Sequence, residues 1–415
     1  MCGFYCCALN KKKIFNDPVY GFVSVPYEIV FDLIEHPYFQ RLRNIKQLGL
    51  THLVYPGALH TRFHHALGAM HLMGIALETL RNKGIEITHD EAKAATVAIL
   101  LHDIGHGPFS HALENCIVPS IKHEDLSLLL MKRLNDEFKG ELSLAIEIFE
   151  DKYPKRFLHQ LVSSQLDMDR MDYLNRDSFY TGVSEGVIGF DRILKMIYVV
   201  DDQLVIEEKG IYSIEKFLIA RRLMYWQVYF HKTVIAAEQL LLQILKRAKY
   251  LATNGEHLFA SPSFDFLLRN NPSTADFIGD ERFLDDFSNI DDNDIYTSIK
   301  VWASHSDKVL ASLCQELISR RLYAIEMENE PIPATKYEEK QKEWKVKWNL
   351  SDDESKYFVF TGFINNNAYN PESGKIFILT KNKGLQDIAV SSDGLNLDAL
   401  SKTVQKHFIC YPKHP

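Results

Sequence analysis

Histidines and carboxylates grouped in four short segments constrain the fold of this chain more than any other feature. The segments are residues 62–65, 102–107, 123–124 and 167–170. In chain order they supply a histidine, a His-Asp pair and an aspartate, which form a ligand set suited to a divalent metal ion. Because further histidines cluster around the pair, we expect a fold in which separate segments converge on one ion.

The segment that leads into the His-Asp pair is patterned as a buried helix. Thr88 and Glu91 form a capping box, which predicts a helix that begins there and runs to Leu101. The helix is apolar almost all round, so it should lie in the middle of a domain. The pair follows at its end, where polar side chains are costly to bury unless something coordinates them.

Further helices are predicted in the same mainly helical region, from about residue 25 to residue 250. One covers about residues 64–80, the next begins near residue 124, and another covers about residues 157–175. A long helical stretch follows at residues 214–252. Side chains from separate helices can meet at one ion. The predicted metal ligands are His65, His102, Asp103 and Asp169.

The pattern changes after about residue 270, and we expect a mainly α chain that ends in a small α+β lobe. Residues 276–294 are acidic and predict turns, and residues 295–323 predict a helix. Strands are predicted at residues 357–360, 376–379 and 388–390. The expected units are an N-terminal segment at 1–15, a helical core at 16–260, a helical extension at 261–335 and the lobe at 336–415.

Composition narrows the class of protein. The chain has 415 residues and a formal net charge of −8, with 46% hydrophobic and 25% charged residues, which is typical of a globular protein. The acidic balance and the lack of a basic stripe argue against nucleic acid as a partner. Any nucleotide would therefore need a local positive pocket.

Cysteine usage and hydropathy indicate the compartment. The 6 cysteines have no regular spacing, which predicts unpaired thiols in a reducing compartment. Residues 1–9 lack the basic start and the length of a signal peptide, and no apolar run approaches a membrane span. We therefore expect a cytoplasmic protein without a membrane partner.

The residues around the predicted ion are suited to phosphoester hydrolysis. A His/Asp set without cysteine favours an open, catalytic site, and a divalent ion in such a site lowers the pKa of bound water. A histidine with a pKa near neutral protonates a leaving group. Arg62 and Arg170 are placed to hold phosphate oxygens. For Arg41 and Arg222, surface ion pairing is the expectation.

The longest motifs resemble the HD-domain superfamily and, within it, the deoxynucleoside triphosphate triphosphohydrolases, including the dGTPase-like proteins. The motifs are residues 15–21, 39–49, 55–58, 62–68, 101–111 and 169–174. The resemblance implies a helical HD-domain core and attack at the α-phosphorus, which releases a deoxynucleoside and intact triphosphate. It implies Fe, Mn, Zn or Ni at the His/Asp ligands and Mg on the substrate triphosphate.

The resemblance also implies roles for individual residues. It makes His111 the proton donor and surrounds the reacting phosphate with His106, His123 and Glu124. It assigns to the phosphates Arg62, Arg170 and Arg221. It assigns to the nucleoside pocket Gln47 and Leu48, and to the sugar Tyr173, Asp177 and Tyr229. The ring of Tyr229 would pack where a ribose 2′-hydroxyl would collide.

A nucleotide effector and a homo-oligomer, either a dimer or a tetramer, are further implications of the resemblance. The effector-binding positions are matched by Lys13, Asn16, Gln40, Arg43, His231 and Lys232. The chain departs from the animal enzymes of the family at three positions. They are Arg170 in place of a lysine, Phe230 in place of a glutamine and Glu35 in place of an aspartate that reads guanine.

Two alternatives share parts of this pattern. An HD-type phosphodiesterase or nucleotidase acting on another phosphoester would have the same metal ligands, but the pocket set favours a deoxynucleoside triphosphate. That set is Gln47, Tyr173, Asp177 and Tyr229. The second alternative is a non-catalytic nucleotide sensor, and the complete set of ligands and acid/base groups argues against it.

Overall fold

The computed structural model of the protein describes residues 13–109, 116–118, 121–366, 369–370, 374–382, 384–392 and 403–413. Helices dominate the described residues, which confirms the mainly α prediction. From the N-terminus to residue 253 they are Glu28–Glu35, Pro37–Gln40, Arg62–Asn82, His89–Leu101, His123–Glu137, Ser143–Phe149, Arg156–Val162, Met168–Thr181, Phe190–Met196, Ile211–Met224 and Lys232–Thr253. The later helices are Pro262–Arg269, Thr274–Gly279, Glu281–Ser288, Asp292–Trp302, Lys308–Ile318, Ala334–Trp348, Asp352–Ser355 and Ile388–Ser391.

The predicted capping box and the central helix are confirmed. The Thr88 hydroxyl accepts a hydrogen bond from the Glu91 amide (3.1 Å), and the Glu91 carboxylate accepts one from the Thr88 amide (2.7 Å). The helix His89–Leu101 is buried along most of its length and packs against Arg62–Asn82. The helix Met168–Thr181 also packs against Arg62–Asn82. This three-helix arrangement brings the predicted ligands together.

The helix predicted at residues 157–175 is wrong, because two helices occupy this stretch. The first, Arg156–Val162, ends where Ser163 adopts an extended backbone, and the second begins at Met168. The Asp167 carboxylate caps the second helix by accepting hydrogen bonds from the amides of Ser164 and Arg170, both at 2.7 Å. The break satisfies amides at the start of the new helix, as N-capping requires.

The long helix predicted at residues 214–252 is also interrupted. A single π turn, Tyr225–Tyr229, follows Ile211–Met224, and a new helix starts at Lys232. The ring of His231 accepts from the Thr233 amide (3.2 Å) and caps the new helix. Such π turns often occur at functional sites.

The acidic stretch at residues 276–294 is helical, and the prediction of turns was wrong. Asp280 and Asp291 are N-caps: their carboxylates accept from amides in the first turn, at 2.9 and 2.7 Å respectively. Carboxylates are favourable there because the helix N-terminus carries positive partial charge. The helix predicted at 295–323 is in turn divided between Asp292–Trp302 and Lys308–Ile318.

Strands in the described residues form three small sheets. A hairpin pairs β1 (Ile14–Asp17) with β2 (Gly21–Ser24). The second sheet has the order β3-β4-β7-β8, formed by Ile197–Val200, Gln203–Glu207, Phe377–Leu379 and Leu385–Asp387. The third has the order β5-β9-β6, formed by Ala324–Glu328, Val404–Tyr411 and Phe360–Asn366.

The C-terminal strands pair with strands far away in sequence. Strand β7 lies parallel to β4, and β9 lies antiparallel to β5, so each sheet includes a strand from before residue 336. The predicted strand near 376–379 is confirmed, and the one at 357–360 begins only at Phe360. The strand predicted at 388–390 is wrong: these residues start a short helix capped by Asp387.

Two further expectations concern thiols and membranes. The three cysteines that the structure describes, Cys116, Cys314 and Cys410, are buried and unpaired, as predicted for them. Among the described residues, none of the helices combines the length and apolar character that crossing a bilayer requires.

Candidate metal centre and nucleotide cavity

The four predicted metal ligands converge at one point. His65 Nε2 lies 3.3 Å from His102 Nε2 and 3.2 Å from Asp169 Oδ1, and the last two atoms are 3.6 Å apart. The Asp103 carboxylate completes the cluster, with its oxygens 3.7 Å from His65 Nε2 and 3.4 Å from His102 Nε2. The residues come from the helices Arg62–Asn82 and Met168–Thr181 and from the end of His89–Leu101.

The outer nitrogens of both imidazoles are already occupied. His65 Nδ1 donates to Asp172 Oδ2 (2.7 Å), and His102 Nδ1 donates to the Ile99 carbonyl oxygen (2.6 Å). These bonds turn both Nε2 atoms toward the centre of the cluster. Two imidazole lone pairs 3.3 Å apart repel each other unless a cation or a proton lies between them. Ligating histidines typically have such outer partners, so the residues fit a divalent cation.

The electrostatics of the cluster also favour a bound cation. Burial lowers the pKa of His65, but hydrogen bonds to Asp169 and Asp172 outweigh it and raise that pKa to about 10. Burial raises the pKa of Asp169, but hydrogen bonds from His102 and His65 hold it well below its usual range. The carboxylates of Asp169 and Asp172 therefore stay ionised and favour positive charge at the centre of the cluster.

A buried chain of charges fixes the outer partner of His65. Arg176 donates from Nε to Asp172 Oδ2 (2.9 Å) and from Nη1 to Asp17 Oδ2 (2.7 Å). Gly68 allows this approach, because a Cβ there would lie 2.0 Å from Asp172 Oδ1. Sequence reasoning quoted the motif that contains Asp172 but gave this residue no role. Its spacing of three residues after Asp169, on the same helix, was the available signal.

A second group of ligand-type side chains adjoins the first through Asp103. His106 Nε2 lies 3.3 Å from Asp103 Oδ1, and the rings of His106 and His123 stack at 3.8 Å between centroids. Arg62 Nη1 donates to Asp103 Oδ2 (2.5 Å). Burial and the nearby Arg62 charge lower the pKa of His106 to about 3, so its ring is neutral. Glu124 Oε1 lies 3.4 Å from His123 Nε2.

A cavity of about 540 Å³ opens onto both groups. Its walls contain the predicted residues Gln47, Arg62, His102, Asp103, His106, His123, Glu124, Asp169, Arg170 and Tyr173. Sequence reasoning missed His159, Ser163 and Tyr225, which also line it. The predicted proton donor, His111, lies outside the described residues.

A smaller cavity of about 320 Å³ adjoins the first, and its wall combines aromatic and aliphatic side chains with polar ones. It contains the predicted nucleoside residues Gln47, Leu48, Tyr173, Asp177 and Tyr229. The two cavities share Gln47, Arg62, Tyr173 and Tyr225. The smaller one also includes Ile364 of strand β6, a residue that sequence reasoning missed. Its position depends on the long-range pairing of β6 with β9.

Two predicted phosphate-binding arginines have partners within the protein. Arg170 forms an ion pair with Asp167 and lines the larger cavity. Arg221 is buried, donates from Nη1 to Gln165 Oε1 (3.1 Å), and is absent from the described lining of both cavities. Contact of either arginine with phosphate stays a prediction.

The expectation of a surface ion pair for Arg41 was wrong. Its side chain is buried and donates from Nη2 to the carbonyl oxygens of Ile104 (2.8 Å) and His106 (2.9 Å). Burial lowers the pKa of its guanidinium to about 10, which still leaves it charged at neutral pH. Arg41 therefore holds the loop that follows the His-Asp pair, and the sequence motif around Arg41 gave no sign of this contact.

Asp292 ties the helical extension to the same loop. Its buried carboxylate accepts from the amides of Lys46 (3.0 Å) and Phe109 (3.1 Å). Lys46 precedes Gln47 in the cavity wall, and Phe109 ends the described part of the loop. Residues beyond 260 thus position the site.

The predicted effector residues fall into two groups. Arg43 Nε donates to Gln40 Oε1 (2.8 Å), and Asn16 and Lys13 lie at or next to strand β1. His231 and Lys232 line a different cavity of about 580 Å³, together with Trp226 and Lys406. No described cavity contains members of both groups. Effector binding stays a prediction.

Comparison with known proteins identifies the family. The HD domain model matches residues 62–177, which contain all four ligands, and the HD associated region model matches residues 188–259. An uncharacterized protein of Bacillus subtilis is 33% identical over 373 residues, which are 88% of this chain and 78% of that protein. The chain therefore belongs to the HD-domain superfamily, as predicted.

Two further relatives bear on function. A phosphohydrolase of known structure from Bacteroides thetaiotaomicron is 53% identical, with a TM-score of 0.94 over 97% of this chain and 100% of that one. The deoxynucleoside triphosphate triphosphohydrolase SAMHD1 homolog of Dictyostelium discoideum is 34% identical over 242 residues. That match covers 54% of this chain and 47% of the homolog, so the chain spans about half the length of this relative.

Proposed function

We propose that this protein is an HD-domain phosphohydrolase that cleaves deoxynucleoside triphosphates to deoxynucleoside and inorganic triphosphate. One observation carries the proposal: a cavity suited to a nucleoside adjoins the cavity at the metal cluster, and they share Gln47, Arg62, Tyr173 and Tyr225. A nucleotide that spans the junction would place its α-phosphorus beside the cluster.

The larger cavity supplies the groups that a triphosphate requires. A divalent ion held by the four ligands would polarise a phosphate oxygen and activate water for attack. Arg62 and Arg170 line the cavity and would offset the negative charge of the phosphates. The neutral ring of His106 lies beside Asp103 and lines the same cavity, next to the place that the reacting phosphate would occupy. His111 remains the proposed donor of the proton to the leaving oxygen.

The smaller cavity would bind the sugar and the base of the nucleotide. Tyr229 and Asp177 are hydrogen-bonded to each other in its wall (2.7 Å) and would meet the deoxyribose. Gln47 Oε1 is buried and accepts no hydrogen bond from any described residue. A hydrogen-bond donor on the bound base would satisfy this oxygen. The names of the SAMHD1 relatives support the choice of a deoxynucleoside triphosphate over another phosphoester.

Further parts of the proposal concern the ion and the assembly. We propose Fe, Mn, Zn or Ni at the His/Asp ligands, with Mg on the triphosphate, because imidazole and carboxylate together suit these ions. We also propose a cytoplasmic homo-oligomer with a nucleotide effector at the positions matched from the family. These residues include Lys13, Arg43 and Lys232.

The test separates the proposed reaction from other HD-type hydrolysis. Purified protein, loaded with Mn or Fe, is incubated with each of the four deoxynucleoside triphosphates, the matching ribonucleotides and bis(p-nitrophenyl) phosphate. Release of intact triphosphate from a deoxynucleotide, together with the nucleoside, is expected. Hydrolysis of the diester alone, or release of orthophosphate or pyrophosphate, would instead establish the alternative of a phosphodiesterase or nucleotidase. Asp103→Asn protein is the background control.

A further inference from the structure

A fully buried histidine lies directly behind the smaller cavity. His60 is 1% exposed, and its Nε2 lies 2.7 Å from Asp177 Oδ1. Asp177 lines the cavity, whereas His60 is not part of its wall. An ionised carboxylate can only accept, so Nε2 carries the hydrogen of this bond. The His60 side chain is thus connected to the cavity through Asp177.

The other oxygen of the same carboxylate holds an aromatic ring of the cavity. Tyr229 donates its phenolic hydrogen to Asp177 Oδ2 (2.7 Å). Both carboxylate oxygens of Asp177 therefore accept a hydrogen bond, one from His60 behind the cavity wall and one from Tyr229 in the wall. A carboxylate held at both oxygens cannot rotate about its Cβ–Cγ bond without breaking a hydrogen bond.

His60 is itself fixed, at a cost to the fold. Its ring stacks on Tyr180, with centroids 4.5 Å apart and planes 20° apart, and its carbonyl oxygen accepts from the Gln47 amide (3.0 Å). Its Nδ1, however, is buried and makes no hydrogen bond to a residue that the structure describes. A buried polar atom without a partner is destabilising. If residue 60 served packing alone, an apolar ring would stabilise the fold more than a histidine does.

We propose that His60 is a positioning residue that sets the selectivity for the sugar. By fixing the Asp177 carboxylate, it holds the Tyr229 ring at the place that the 2′ position of the substrate sugar would occupy. This inference rests on the proposed function, because it assumes a deoxynucleotide in the cavity. Loss of the His60 hydrogen bond would free the carboxylate, let Tyr229 move and admit a ribose 2′-hydroxyl.

The test compares variants that separate ring packing from hydrogen bonding. His60→Phe keeps a ring against Tyr180 but removes the donor, and His60→Gln keeps an N–H donor. The measurement is the ratio of kcat/KM for dGTP to that for GTP, with kcat and KM resolved and bound metal quantified. We expect His60→Phe to lower the ratio on the order of tenfold, the effect of one hydrogen bond to a charged group. Most of the change should lie in KM, with metal content unchanged.

Rescue and coupling distinguish positioning from a general loss of structure. His60→Gln should regain most of the wild-type ratio. Tyr229→Phe should lower the ratio in the same direction, and the double variant with His60→Phe should lose less than the product of the two single effects. The reason is that both residues act through the same carboxylate.

The outcomes that overturn the proposal are distinct. Triphosphate release by wild-type protein with an unchanged ratio in His60→Phe would overturn this inference alone. Absence of triphosphate release by the wild-type protein would overturn the proposed function and this inference with it. If His60→Phe does not fold, His60→Leu replaces it. Failure of both to fold would show that His60 serves the fold and not the cavity, which also overturns the proposal.

Discussion

The two adjoining cavities are built in different ways. Around the metal cluster, every ligand comes from residues 62–177, and the outer nitrogens of both histidine ligands are held by hydrogen bonds within that range. The smaller cavity also collects parts of its wall from outside that range: from residues 47–51, the π turn Tyr225–Tyr229, the helix Lys232–Thr253 and strand β6. The first is a local product of packed helices, and the second depends on contacts between distant parts of the chain.

Because of this difference, we expect the metal cavity to determine turnover and the smaller cavity to determine substrate selectivity. The ion site uses side chains fixed by buried hydrogen bonds, which leaves little freedom for adjustment. The nucleoside side also uses aromatic and aliphatic side chains from elements that carry no ligand, such as the π turn Tyr225–Tyr229 and strand β6. Substitutions in the two cavities should therefore have separable effects, on metal and turnover in one case and on KM and selectivity in the other.

The strongest test removes a ligand. His65→Ala should lower metal affinity by more than about 100-fold, beyond the 10–100-fold typical of residues that support a ligand, and should abolish hydrolysis. The fold should persist, because Asp172 keeps its ion pair with Arg176 when the imidazole is removed. Metal analysis of the purified protein, activity and thermal unfolding are measured together.

The matched control is His71→Ala, on the same helix. Its ring packs on Tyr20 with centroids 5.4 Å apart and is not part of the described cluster. It should keep full metal content. Full metal occupancy in His65→Ala would show that the ion is not held by this cluster.

A smaller effect is expected from the outer partner of His65. Asp172→Asn keeps the shape but weakens the hydrogen bond to Nδ1, and should lower metal affinity by about 10–100-fold while KM at saturating metal changes little. Titration of apoprotein with Mn or Zn measures the affinity. Asp265→Asn is the control, because Asp265 pairs with Arg269 at the same i, i+4 spacing away from the site. Equal metal affinity in the two variants would show that Asp172 does not support the metal site.

The contrast between the two cavities also explains which parts of the site could be predicted from the sequence. The four ligands and the capping box at Thr88 follow from short motifs and helical spacing, whereas the wall residues Gln47 and Tyr229 follow from the family resemblance. The structure brings the ligands together in one cluster and both wall residues into one cavity. Interactions that join separate elements were missed. The surface assignment of Arg41 failed because its acceptors are backbone carbonyls of a distant loop, and no side-chain pattern records them.

Element boundaries failed for a related reason. The breaks at Ser163 and at the π turn are set by side-chain caps and by packing, which the apolar spacing of the sequence does not reveal. The order of the C-terminal strands depends on partners such as β4 and β5, which lie far away in sequence. Ile364 could not be placed in the cavity without that pairing.

On the nucleoside side, the larger effect should come from Tyr229. Tyr229→Ala removes the ring from the cavity wall and should lower the deoxy-to-ribo ratio of kcat/KM on the order of tenfold, since contact with an apolar wall rejects an added hydroxyl by at most about 100-fold. Metal content should not change. The pairs dGTP and GTP, and dATP and ATP, are compared in both proteins. Tyr250→Ala, at a 52% exposed position on the next helix, is the control. An unchanged ratio would make Tyr229 a packing residue only.

The smallest effect should come from the strand that reaches the cavity from the C-terminal sheet. Ile364→Val removes one methyl group from the wall, which corresponds to about 0.8 kcal/mol and therefore to about a fourfold rise in KM for the deoxynucleotide. Turnover and metal content should stay the same, because Ile364 lies only in the smaller cavity among those described. Phe363→Val is the matched control: Phe363 is its neighbour on β6 and is 60% exposed. Equal KM values in the two variants would show that β6 supports the fold without contacting the nucleoside, whereas a fourfold difference would make the C-terminal sheet part of the specificity wall.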